Sequence, residues 1–104
     1  MRRALLLSVV LAACQPTSSS VPAPYRADVA SICDAEARSG ALEQEPGQRA
    51  LTVAQWLGSV VTTTEARKFL ASLVKLAPAA KAAALRAEAS RAGLDGCPLA
   101  ETWK

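Results

Sequence analysis

Apolar residues recur at spacings of three and four along most of the chain, which is the pattern of amphipathic helices. A first helix is predicted over residues 27–39. Its apolar face carries Val29, Ile32 and Cys33, with Glu36 beside them. Gly40 follows at the position where a glycine commonly ends a helix.

Two residues that disrupt regular structure interrupt this pattern. Pro46 and Gly47 predict that residues 41–48 form a loop. A second helix is predicted from about residue 49 to residue 61. Its apolar stripe consists of Val53, Trp56, Leu57, Val60 and Val61.

A run of threonines separates the second helix from the third. Thr62 and Glu65 predict a capping box, in which the Thr62 hydroxyl accepts from the Glu65 amide and the Glu65 side chain reaches back. The third helix is predicted to run to about residue 76. Its inward residues are Ala66, Phe69, Leu70, Leu73 and Val74.

A fourth helix is predicted to begin with Pro78 in its first turn and to end near Ala92, where Gly93 supplies the stop. It buries small residues around Leu85. The long alternations of Val, Ile, Thr and Tyr that are typical of strands are missing. The sequence therefore predicts an all-α domain of four helices over residues 26–104.

The N-terminus has a different pattern. Met1-Arg2-Arg3 precedes an apolar run of about ten residues, and small residues follow at its end, which is the layout of a secretory signal. The run is about half as long as a membrane-spanning helix requires.

Leu11-Ala12-Ala13-Cys14 resembles the lipobox of bacterial lipoproteins. The resemblance implies that residues 1–13 are removed as a signal peptide. It also implies that the Cys14 thiol receives a diacylglyceryl group and that the freed amine is acylated, which anchors the chain to a membrane. In a Gram-negative bacterium, Gln15 after the cysteine implies the outer membrane. The alternative is an ordinary secretory signal with Cys14 incidental.

Residues 14–25 combine the lipidated cysteine with a segment rich in proline and serine. Such a segment builds neither a helix nor a buried strand, so it is predicted to be a flexible tether.

Charge gives little support for nucleic-acid binding. The net charge of +3 includes Arg2 and Arg3. Without the signal, ten basic residues face nine acidic ones, so the mature chain carries +1. The basic residues are interspersed with acidic ones and form no stripe with aromatic residues.

With Cys14 assigned to lipid, Cys33 and Cys97 remain. Two cysteines in an oxidising compartment allow one disulfide, which would pin the C-terminal tail across the first helix. Two buried free thiols and a redox pair are the alternatives.

The chain contains no histidine. Its absence removes the usual general base, the commonest metal ligand and the nucleophile arrangements that depend on histidine. The sequence therefore predicts no catalytic residue, no metal site and no cofactor.

Glu36 and Glu88 are the candidates for carboxylate chemistry. For Glu36 we favour a structural ion pair with Arg86 or Arg91. Glu88 lies three residues before Arg91, which predicts a solvated pair on an exposed helix face.

Trp103 either caps the core near the disulfide or stays exposed as a contact residue.

Taken together, these features predict a lipid-anchored envelope lipoprotein that acts as a non-enzymatic protein-binding or accessory module, with an envelope protein as its partner. A small envelope enzyme, or an inhibitor of one, that uses Glu36 and Glu88 is the alternative function.

Overall fold

The computed structural model describes residues 21–103, and helices are the only regular elements in that part of the chain. In chain order they are α1 (Ala23–Cys33), α2 (Ala35–Ser39), a 3₁₀ turn (Ala41–Glu43), α3 (Pro46–Val60), α4 (Thr64–Val74), α5 (Pro78–Arg91) and α6 (Pro98–Glu101). The helices α1, α3, α4 and α5 have 11 to 15 residues each. The predicted all-α domain with four main helices is confirmed.

Three predictions fall outside the described residues. They are the signal peptide over residues 1–13, the lipidation of Cys14 and the first part of the tether, up to residue 20.

α1 begins earlier and ends earlier than predicted. Pro24 suits its first turn, where no amide hydrogen is needed for a helical bond. Tyr25 is buried at 6% exposure, so the packed domain begins before residue 26 and includes the end of the predicted tether. The predicted helix 27–39 is divided at Asp34, which adopts φ −98° and ψ 13° between α1 and α2.

Gly40 ends α2 as predicted, with φ 85° in the left-handed region that favours glycine. The prediction of a loop over residues 41–48 is wrong in two places. Residues Ala41–Glu43 form a 3₁₀ turn, and Pro46 opens α3 as its first residue. Proline breaks a helix only in its interior, and at the first position it favours the helix because its φ is already suitable.

α4 is capped one residue later than predicted. The Thr63 hydroxyl, not that of Thr62, accepts from the amide of Ala66 at 3.2 Å. Val74 is 76% exposed, so its predicted inward position is also wrong. α4 ends at Val74, and in its last turn Leu73 is buried whereas Val74 is not.

α5 matches its prediction at both ends, with Pro78 in the first turn and Gly93 at φ 84° after the last. Its buried face is made of small residues and one leucine. They are Ala82, Leu85 and Ala89. Because these side chains are short, α5 can approach α1 closely, and Leu85 lies fully buried beside Val29 and Ile32 in the core.

The apolar stripe of α3 is only partly inside. Leu57 and Val61 are buried. The other three residues are half-buried against the core; they are Val53, Trp56 and Val60. One flank of α3 is therefore open to solvent.

Cys33 and Cys97 are joined by a disulfide, with their Cα atoms 4.6 Å apart, as predicted. Cys33 is the last residue of α1, and Cys97 immediately precedes α6. The bond holds α6 against α1 and α5, which places the C-terminal residues beside the open flank of α3.

Candidate functional site

A half-open groove of about 610 Å³ runs beside α3, and we call it the α3 groove. On α3 it is lined by Pro46, Arg49, Ala50, Val53, Ala54, Leu57 and Gly58. From α4 and the C-terminal segment it is lined by Leu70, Leu73, Val74, Leu99, Thr102 and Trp103. Most of the surface that these residues present is apolar.

Small residues form a stripe on the α3 wall of the groove. Ala50, Ala54 and Gly58 follow one another at intervals of four, so they lie on one face of the helix, and all three are exposed. Within residues 21–103, a Cβ atom added to Gly58 would meet no atom within 4 Å beyond its chain neighbours and the backbone of its own helix. The wall there consists of backbone and methyl groups.

The charged side chains in the lining are Glu36, Arg49 and Lys81. The Arg49 guanidinium donates to the carbonyl oxygens of Leu42 at 3.3 Å and Gln44 at 3.1 Å, which holds it at the start of α3. The groove therefore contains two cations and one carboxylate.

Trp103 is neither fully buried nor fully exposed. It is half-buried and packs against the core, and it also lines the groove. The Lys81 ammonium lies 5.6 Å from the centre of its ring, a distance at which the cation is attracted to the ring face.

The predicted ion pair of Glu36 with Arg86 or Arg91 is wrong. Arg86 pairs with Glu101 at 3.4 Å, and Arg91 pairs with Glu88 at 2.6 Å. Glu36 lies on α2 and lines the α3 groove instead.

Glu88 pairs with Arg91 as predicted, but not on an exposed face. Its side chain is only 16% exposed, because the hydroxyl of Tyr25 also donates to it from α1. The Arg91 guanidinium in turn lies 5.7 Å from the centre of the Tyr25 ring. Sequence reasoning missed Tyr25, although it stands four residues before Val29 on the same helical face.

The contacts in this network shift the pKa values of its members. Burial, followed by the hydrogen bond to Glu88, raises the pKa of Tyr25 to about 12. The Arg91 guanidinium lowers the pKa of Glu88 in spite of the carboxylate's burial, and Tyr25 adds to the effect. The Glu88 carboxylate is therefore an ionised structural partner.

Asp28 is a buried acid that sequence reasoning missed, at 4% exposure. Its carboxylate accepts from the Thr63 amide and from the Thr63 hydroxyl, both at 2.7 Å, and from the Thr62 amide at 3.1 Å. Burial would raise the pKa of Asp28, but the hydrogen bonds from Thr63 and Thr62 outweigh it and lower the pKa. The run of three threonines was the signal near this contact, but the sequence pattern indicates only a helix cap there.

The two glutamates of the enzyme alternative lie in different places. Glu36 lines the α3 groove, whereas Glu88 belongs to the Tyr25 network and does not line it.

Over residues 21–103, no cluster of three or more acidic, histidine or cysteine residues is placed to hold a metal ion. None of the helices in this range has the length and apolar composition needed to cross a membrane.

Comparison with protein-family models, curated proteins and solved structures found no match to this chain.

Proposed function

We propose that this chain is a lipid-anchored lipoprotein of the bacterial cell envelope, and that its helical domain is a non-enzymatic protein-binding or accessory module. The anchor is supported by the order of a basic start, a short apolar run and Leu11-Ala12-Ala13-Cys14. Two or three acyl chains at Cys14 hold a protein stably on a bilayer. Gln15 supports the outer membrane if the source is Gram-negative.

The α3 groove supports the proposal that the helical domain binds a protein. Binding sites are typically concave clefts of roughly 300–1,000 Å³ with a mostly apolar lining and a few polar groups, and the α3 groove has this character. Here a groove with an apolar lining is bordered by Trp103, a residue type enriched at interfaces. Large apolar side chains that are exposed to solvent lie in the lining and elsewhere on the domain, among them Val74 and Leu51 at 76% and 58% exposure.

The enzyme alternative has weaker support. It requires two carboxylates that converge on one pocket, and only Glu36 lines the groove. Glu88 is occupied by Arg91 and Tyr25. The chain also has no histidine to act as a general base. We therefore prefer the binding module.

Cell fractionation tests the anchor. The native chain should sediment with membranes, and Cys14→Ala should appear in the soluble fraction because the acylated thiol is lost. Gln15→Asp is the matched control, since it keeps Cys14 and should remain on a membrane while moving to the inner one. Membrane retention of Cys14→Ala would contradict the anchor.

Crosslinking in intact envelopes tests the binding module. A photoreactive amino acid at Val74, which is exposed in the groove, should give a discrete crosslinked protein band. The same amino acid at Ala87, exposed on α5 and outside the groove lining, serves as the control. Equal and diffuse labelling from both positions would contradict a specific contact surface.

A further inference from the structure

The openness of the α3 groove restricts what can fill it. It is half open to solvent, and Val74 at its edge is 76% exposed. A single acyl chain lying in the groove would be covered on one side only and would leave Val74 in water. A helix is about 10 Å wide with its side chains, so it can fill the groove and cover its apolar edge as well.

The shape of the α3 wall also suits a helix. Rows of residues at intervals of four form the ridges and grooves through which helices pack against each other. The stripe of Ala50, Ala54 and Gly58 is one such row with almost no side chains, so the backbone of a second helix can approach closely.

The packing of this domain gives no reason for glycine at position 58. Glycine in a helix interior destabilises the fold relative to alanine. Gly58 lies within α3, and in the described part of the chain no other packed element comes within 4 Å of an added Cβ atom. An occupant that packs directly on the backbone would supply a reason.

The charges in the groove indicate the polarity of the occupant. Arg49 donates to carbonyl oxygens, and Lys81 stacks on Trp103, so neither has a carboxylate partner within residues 21–103. Two cations against Glu36 alone favour an acidic occupant.

We infer that the α3 groove binds one amphipathic helix of a partner protein, with its apolar ridge along Ala50, Ala54 and Gly58 and its flanking carboxylates facing Arg49 and Lys81. The inference rests on the proposed function and deepens it by naming the kind of partner.

Designed peptides test this occupant directly. The full chain, isolated from membranes and placed in lipid nanodiscs without free detergent, is titrated into a labelled helical peptide that has leucines at spacings of three and four and glutamates beside them. Fluorescence anisotropy should show saturable binding. A peptide with lysine in place of each glutamate should bind about threefold more weakly or worse, because rim charges contribute modestly. A shuffled peptide of the same composition should not bind.

Two glycine variants distinguish an effect on the groove from an effect on folding. Gly58→Leu fills the groove and should raise the Kd about tenfold, as expected from overpacking. Gly47→Leu is the matched control, because Gly47 lies in the same helix, has the same open surroundings and does not line the groove. It should leave the Kd unchanged. Thermal unfolding of both variants shows that each remains folded.

Lys81→Glu tests whether the charge of the groove selects an acidic helix. It should reverse the preference, so that the lysine peptide binds more tightly than the glutamate peptide.

Other results would overturn the inference. Equal binding of the shuffled peptide would show that no helical ridge is recognised, and displacement of the peptide by dodecanoate at comparable affinity would assign the groove to acyl chains. Sedimentation of the native chain as a dimer that Gly58→Leu makes monomeric would assign it to a second copy.

The failure of this inference can be told from failure of the proposed function. Loss of the anchor is detected by Cys14→Ala fractionation and does not change peptide binding. A module that binds through another surface would give a discrete crosslink from Ala87 but none from Val74, and the peptide would not bind.

Discussion

Tyr25 is the only tyrosine in the chain, and its hydroxyl donates to a carboxylate 63 positions away in sequence. Its phenol is buried between α1 and α5, where Glu88 accepts the hydrogen bond and Arg91 covers the ring. Ionisation of this phenol would break the bond and place two negative charges side by side. One side chain therefore reports on the contact between the two helices.

We expect the absorbance titration of the folded protein to show tyrosinate forming with a midpoint of about 12. The unfolded chain should titrate near 10, the ordinary value. Because the folded-state pKa is the higher one, this stabilisation is complete below about pH 10 and is lost as the pH rises towards 12.

Glu88→Gln should lower the Tyr25 midpoint without returning it to 10, because burial is the larger cause of the shift. Glu43→Gln, at an exposed position of the 3₁₀ turn, should leave the titration unchanged. A folded native protein that titrates at the ordinary tyrosine value would contradict the buried contact.

Short-range contacts at the residue scale could be predicted, and long-range ones could not. The pair of Glu88 and Arg91 follows from a spacing of three on one helix. Tyr25 and Asp28 find their partners across 63 and 34 to 35 positions. No local pattern gives the relative placement of helices, which decides such contacts.

Asp28 connects three elements. It lies on α1, accepts from the backbone at the end of the α3–α4 connection, and bonds the hydroxyl of Thr63, which itself caps α4. An acid near the start of a helix is also favoured by the helix dipole. The carboxylate thus fixes the corner between α3 and α4 against α1.

Asp28→Asn should lower the free energy of unfolding by about 1–3 kcal/mol at neutral pH, since an amide replaces an ionised acceptor of several buried donors. The pKa of Asp28 is lowered in the folded state, so its contribution is present above about pH 4 and is lost as the pH falls through the folded value. The variant should therefore lose less stability on acidification than the native protein. Urea unfolding at neutral and acidic pH measures both effects.

Asp34→Asn is the matched substitution at a more exposed aspartate next to the same helix, where Asp34 pairs with Arg38. Its effect should stay within about 0.5 kcal/mol. Equal losses for the two variants would mean that the buried network has no special role.

At the scale of elements, the ends of α5 could be predicted because proline and glycine act there through their own backbone preferences. The same reasoning misplaced Pro46, since proline both begins and interrupts helices and only the neighbouring packing decides which. It also chose Thr62 as the cap, because three successive threonines offer equivalent hydroxyls and Asp28 selects among them.

The disulfide organises the whole molecule. It links two residues 64 positions apart and fixes α6, a helix of four residues that could not persist by itself. Leu99 and Trp103, which line the α3 groove, are held by this segment. The covalent bond therefore contributes to both the stability and the shape of the candidate site.

Replacing both cysteines, as Cys33→Ala with Cys97→Ala, should lower the free energy of unfolding by about 4 kcal/mol, the chain-entropy value for a loop of this length. Urea unfolding measures the loss. A reductant should lower the stability of the native protein and leave that of the double variant unchanged. Insensitivity of the native protein to the reductant would contradict a stabilising cross-link.

The groove itself was beyond prediction. The apolar stripe of α3 has the period of a buried helix face, so Val53 and Trp56 were expected inside. Within residues 21–103, the other helices do not cover α3 on every side. Which flank stays uncovered depends on the angles at which the helices cross, and the period of the apolar residues does not encode these angles. The pairing of Cys33 with Cys97, in contrast, could be predicted once the lipobox resemblance had assigned Cys14 to lipid, because two of the three cysteines then remained.

The same disulfide determines how the domain responds to a mechanical pull. Tension applied between residue 21 and residue 103 travels along α1, crosses from Cys33 to Cys97 and leaves through the C-terminal segment. The helices α2 to α5 lie on a covalent loop that this force bypasses. While the bond is intact, the pull cannot extend this loop. At about 3.5 Å per residue, its 64 positions correspond to about 220 Å of chain.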